Sequence, residues 1–268
     1  MNLNLLLKEL KNNLKGTVIT TVVVVLYTAF SLLIYSSMKE NISKVADFYY
    51  IMPESFQVAF NFHINQWDNV LGYYVTYFVY FVPIIIGCYS IILGTKLLSK
   101  EEQNKTAEFL LSRPLSRNQI ISSKLLTLFI HITVINLLAF FTGLVGCGIV
   151  SDWEFNLNSL VILHTYGCLI CLLFGLIGFF ITVVMKRAKA ITGIGIGIVL
   201  ATYFFDIMIR VFGEVQFLLY LTPFKYINLE AHLPDYGFDV WRLTYFIGIS
   251  GLLIILSYLF YSRKDILV

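Results

Sequence analysis

Six apolar runs, at residues 17–35, 71–97, 124–150, 158–185, 190–212 and 243–261, dictate what this chain can fold into. A helix rising 1.5 Å per residue crosses a hydrocarbon core of about 30 Å in about 20 residues. Inside that core no water is available to the backbone, so each run must satisfy its own N–H and C=O groups, which an α-helix does. The short alternating segments of a membrane barrel are not seen. The expected fold is therefore an all-α polytopic membrane protein with six transmembrane helices. Only 13% of residues are charged, against 58% hydrophobic, and a soluble chain carries about 25% charged residues. Six spans and their connections use up the 268 residues, so a single transmembrane domain is expected.

Charge placement gives the orientation. Lys8, Lys11 and Lys15 precede the first run, and Lys96, Lys100, Lys105, Arg113, Arg117 and Lys124 surround the second connection. Lys186, Arg187 and Lys189 fill the fourth, while Arg263 and Lys264 follow the last run. The opposite face has only Lys39, Lys44, Arg210, Lys225 and Arg242. By the positive-inside rule both termini are expected in the cytoplasm, in a multi-pass protein of the cell membrane. Tyr35-Ser-Ser-Met38 offers no small-x-small cleavage site, so the first run reads as an uncleaved span. A net charge of +3 is not a nucleic-acid footprint.

The connections carry their own signals. Residues 1–16 place Leu3, Leu6, Leu7, Leu10 and Leu14 opposite Lys8, Lys11 and Lys15, the pattern of an amphipathic helix at the membrane surface ending at Gly16. Residues 36–69 are apolar enough for short surface helices, with Trp67 at the interface. Residues 213–241, containing Leu221-Thr-Pro-Phe-Lys-Tyr226, suit a re-entrant segment before the last span. Gly167, Cys171 and Gly175, and the pair Gly193 and Gly197, recur at the four-residue spacing that lets helices approach closely.

The polar interruption at 98–118 is the most specific segment. Ser99 with Glu102, and Ser116 with Gln119, fit two successive capping boxes. The first would open a short helix, 100–111, and the second a helix that runs into the third span. On physical grounds this is either a helix built to press on a partner or a capped hairpin.

The order Glu101, Thr106, Glu108, Leu110, Leu111, Ser112, Pro114, Ser116, Arg117, followed by Lys124 at the head of an apolar helix, resembles the permease subunits of type-2 ATP-binding-cassette exporters. The segment Leu221-Thr-Pro-Phe-Lys-Tyr226 resembles that family's Pro-Phe segment before the last span, and the terminal Tyr261-Ser-Arg-Lys-Asp-Ile266 resembles its basic-Asp ending. The resemblance implies that 1–16 is a connecting helix. It also implies that Glu101, Glu102, Thr106, Glu108, Leu110, Leu111, Arg113, Pro114, Ser116 and Arg117 form a coupling helix seated on a separate ATP-binding-cassette ATPase. It further implies a second permease copy, identical or related, and ATP with Mg bound by the ATPase. This chain has no G-x-x-x-x-G-K-[ST] loop of its own and is expected to be non-catalytic.

A candidate translocation path runs along the second and fifth spans: Tyr73, Tyr77, Tyr80 and Phe81 with Tyr203, Phe204 and Asp206. An uncharged aromatic wall suits a hydrophobic or amphipathic cargo such as a peptide or lipid-like molecule; ordinary helix packing gives the same pattern. Asp206 and Arg210 stand four apart and can pair. His131 and His164 read as packing residues. Cys168 and Cys171 lack the further ligands a metal site needs. The alternative function is an ion-gradient-driven transporter or channel, which would place a carboxylate near the membrane midplane.

Overall fold

The computed structural model describes residues 2–39, 41–59, 66–103, 116–185, 188–213, 216–227, 230, 231, 233 and 236–263. Among these residues there is no strand. The helices are α1 (Leu3–Lys39), α2 (Ile42–Ile51), α3 (Glu54–Ala59), α4 (Val70–Gln103), α5 (Arg117–Val150), α6 (Leu157–Val184), α7 (Ala188–Phe212) and α8 (Val240–Arg263). Two 3-10 turns, Gln216–Leu221 and Pro223–Tyr226, lie between α7 and α8. α1, α4, α5, α6, α7 and α8 are long and apolar enough to cross a membrane, so the protein is an all-α polytopic membrane protein. The stretch between the first two spans contains two short helices, α2 and α3.

α4 and α6 form the centre and are the most enclosed of the six. α1 packs on α5 and α4, α7 on α4, and α8 on α6 and α5. Glycine brings the central pair together. A Cβ on Gly94 would stand 2.1 Å from the Gly175 carbonyl oxygen, and one on Gly178 would stand 2.5 Å from that of Ile91. Backbone therefore meets backbone across this crossing, the small-residue contact known from membrane helices. Gly167 and Gly175 receive side chains as well, from Phe78 and Ile132. Gly193 and Gly197 differ from expectation: among the described residues nothing lies within 4 Å of a Cβ at either, so they mediate no close approach there.

Two expected boundaries are corrected. α1 runs through Gly16 without a break, so the leader and the first span are one helix. Gly16 faces the ring of Tyr89, at 3.1 Å from its would-be Cβ, and serves as a contact point of α1 on α4. Ser99 caps no new helix, because α4 continues to Gln103 and buries Ser99 together with Leu97 and Leu98. Tertiary packing there outweighs a local capping preference worth about 1 kcal/mol.

Candidate functional site

The first two turns of α5 gather both ends of the chain. Ser116 opens the helix with a complete capping box. Its Oγ accepts from the Gln119 N–H at 3.2 Å, and the Gln119 side chain accepts from the Ser116 N–H at 3.1 Å. This fixes the direction in which Arg117 leaves the helix. Its Nη1 donates to the carbonyl oxygens of Tyr261 and Ser262, both at 3.1 Å. Those carbonyls lie in the last turn of α8, where a helix has no N–H to offer them and a cation is favoured by the helix dipole. One turn further, the Ser122 and Tyr258 hydroxyls meet at 2.7 Å.

The amino end is fastened to the same stretch. Ser123 Oγ accepts from the Asn2 N–H at 3.1 Å and donates to the Asn2 carbonyl at 3.2 Å. The Asn2 side chain in turn accepts from the Leu5 N–H at 3.0 Å and starts α1. Deeper in, Lys124 Nζ donates to Glu9 Oε1 at 3.2 Å and to the carbonyl oxygen of Leu97. Lys100 pairs with the other Glu9 oxygen. Glu9 is 2% exposed and Lys124 1%. Charges so enclosed persist only when paired and hydrogen-bonded. Glu9 therefore joins α1, the end of α4 and the start of α5 in one charged knot. The leader helix is thus built into the bundle along its Leu5, Leu6 and Glu9 face.

Glu101 and Glu102 lie in the last turn of α4. Thr106, Glu108, Leu110, Leu111, Arg113 and Pro114 lie outside the described residues. The knot stands at the roots of that segment, on Lys100 before it and Ser116 to Lys124 after it.

The aromatic candidates divide. Tyr73 is enclosed between α1 and α4, its hydroxyl donating to the Ser31 carbonyl at 2.9 Å and its ring 4.4 Å from that of Tyr77 and 4.8 Å from that of Tyr35. Tyr80 is buried, and so is Tyr203, whose ring lies 5.4 Å from Phe224. Phe81 and Phe204 are exposed on the surface. Asp206 is buried at the far end of α7 and takes Arg210 Nε at 2.8 Å and Thr222 Oγ1 at 2.9 Å. The pair expected from spacing is there, and a partner from outside the helix, Thr222, joins it. Phe224 sits between Phe174 and Tyr203. The Thr222-Pro-Phe224 turn is thereby pinned to α6 and α7.

The profile of the ABC-2 family transporter protein matches residues 3–262, nearly the whole chain. The chain belongs to the ABC-2 transporter family. Among curated proteins, none matches it. Family membership makes it the membrane component of an ATP-binding-cassette transporter and implies an ATPase partner. The knot on Glu9 and the Arg117 contact thus sit at the two roots of this ABC-2 chain's polar loop. The remaining candidates are packing groups. His164 Nε2 meets the Tyr74 hydroxyl at 2.9 Å, and His131 Nδ1 meets the Thr17 hydroxyl at 2.6 Å. The four cysteines form no disulfide, and no metal-binding cluster of His, Cys, Asp and Glu is found among the described residues.

Proposed function

We propose that this chain is the membrane subunit of an ATP-driven exporter, moving a hydrophobic or amphipathic cargo (a peptide toxin, an antimicrobial peptide or a lipid-like molecule) out across the cell membrane. Two copies, identical or related, pair, and two ATPases dock on the cytoplasmic side against residues 98–118. ATP and Mg stay in the ATPases. Closure of the ATPases pushes that segment, and the bundle rocks between inward- and outward-open forms, the usual alternating-access motion.

The observation that carries this reading is the junction itself. A push delivered between residues 100 and 117 reaches α4 and α5 by covalent continuity, α1 through Glu9 and Ser123, and α8 through Arg117. Four of the six long helices are therefore tied to one loop. The gradient-driven alternative wants a carboxylate available to an ion, whereas Asp206 is taken by Arg210 and Thr222.

Extraction with a candidate ATPase in mild detergent tests the reading. Glu108→Lys should lower co-purification of the ATPase and abolish ATP-dependent transport while the melting temperature of the permease is kept. Retained coupling in that variant would argue against the docking assignment. Arg117→Glu is less informative, because it also removes the cap on α8.

A further inference from the structure

Toward the end of the bundle opposite the chain termini, a groove of about 690 Å³ runs along the seam of α1 and α5. Thr21, Val25 and Leu32 line it from α1, and Phe141, Val145 and Ile149 from α5. Only two threonines interrupt the apolar lining, and one of them, Thr142, already donates to the Leu138 carbonyl at 2.8 Å. Val150 closes the groove and at the same time borders a second, polar pocket of about 300 Å³. Lys39, Asp68, Asp152 and Glu154 line that pocket.

The two cavities adjoin at Val150, the residue that lines both. Thr21, Val25, Leu32 and Lys39 recur at i, i+4, i+11 and i+18, which places them on one stripe of α1 with Lys39 at its outer end. From Thr21 to Leu33 the groove rises about 18 Å at 1.5 Å per residue, close to one leaflet of a hydrocarbon core about 30 Å thick. The turn after α5 holds two of the acids, Asp152 and Glu154, in place. Asp152 and Trp153 adopt positive φ, 52° and 66°, and the Trp153 N–H returns to the Gly148 carbonyl at 2.9 Å. Among the described residues, Lys39, Asp68, Asp152 and Glu154 make no ion pair.

We infer that this feature binds a phospholipid of the leaflet far from the termini, one whose headgroup carries an ammonium beside its phosphate. The acyl chain fills the α1–α5 groove, Lys39 meets the phosphate, and the three carboxylates meet the ammonium. The charge pattern selects the headgroup. One cation against three acids repels a purely anionic headgroup and complements a zwitterionic one. A second copy of the chain fits less well. With the two-fold axis through the groove, the same concavity would face itself and leave a void.

The test uses the full-length chain in nanodiscs of phosphatidylglycerol with or without phosphatidylethanolamine, each lipid in turn carrying a photoreactive acyl chain. Labelling of 21–33 and 138–150 by phosphatidylethanolamine should exceed that by phosphatidylglycerol by about threefold or more, the range of a few exposed charge pairs. Asp152→Asn with Glu154→Gln should erase the preference but keep the labelling. Ala29→Trp should block labelling of both stretches, and its melting temperature shows whether the bundle is intact. Equal labelling by both lipids in the wild type, or cross-links between two copies at these residues in place of lipid, overturns the inference. These readouts need no ATPase, so they stand or fall apart from the export reading.

Discussion

Glu9 and Lys124 lie 115 positions apart in sequence, yet the Lys124 ammonium sits 3.2 Å from the Glu9 carboxylate with both almost wholly removed from solvent. The two partners are not equally replaceable. Glu9→Leu takes the paired carboxylate away from the buried Lys124 ammonium, and the expected loss is about 3–5 kcal/mol of stability. Lys124→Met should cost less, because Lys100 still neutralises Glu9 and is 27% exposed. The double variant should recover most of the loss. Thermal unfolding of the three proteins in detergent checks the order.

Arg117 holds the last turn of α8 through two carbonyl oxygens. Arg117→Ala should cost about 1–3 kcal/mol, as expected for hydrogen bonds to a charged group. The loss should be local. Amide exchange should quicken at residues 258–263 and stay unchanged in α4 and α6.

Backbone contact makes Gly94 and Gly178 intolerant of any side chain. A Cβ at Gly94 would also stand 2.9 Å from the Phe179 nitrogen, so Gly94→Ala must spread α4 from α6. Overpacking of this kind costs about 1–3 kcal/mol. Gly193→Ala and Gly197→Ala meet open space and should leave the isolated chain as stable or up to about 1 kcal/mol more stable. Melting temperatures of the four variants separate the two groups.

Thr222 is the link by which Asp206 holds the Thr222-Pro-Phe224 turn. Thr222→Val keeps the shape and deletes the donor, leaving a buried carboxylate oxygen short of one bond. The expected cost is about 1–3 kcal/mol. Protection of residues 216–227 in amide exchange should fall, while the Asp206–Arg210 pair holds the last turns of α7 in place.

The spans were legible because lipid leaves the backbone no choice, and the Ser116–Gln119 box was legible because a capping box is a local device. The same local pattern misled at Ser99. There, burial of Leu97, Leu98 and Ser99 keeps α4 intact, and burial is decided by residues far away in sequence. Glu9 could have been found. It follows Leu5 and Leu6 by four and three residues, which puts it on the leucine side of the leader, where a carboxylate must have a partner. The Arg117–Tyr261 contact and the Gly94–Gly178 crossing join segments from opposite parts of the chain, and no spacing within either segment announces them. Gly193 and Gly197 show the converse, a packing motif with no neighbour among the described residues.

The central claim is that work reaches the bundle from a docked ATPase through residues 98–118. ATP hydrolysis by that ATPase, measured in vesicles containing the permease and no ion gradient, tests it most directly. The account predicts that wild-type permease raises hydrolysis several-fold. A variant with residues 104–115 replaced by a glycine-serine linker of equal length should leave it at the level of the ATPase alone, with an unchanged melting temperature. Equal stimulation by both proteins would contradict the account, as would cargo movement along an ion gradient with no ATPase present.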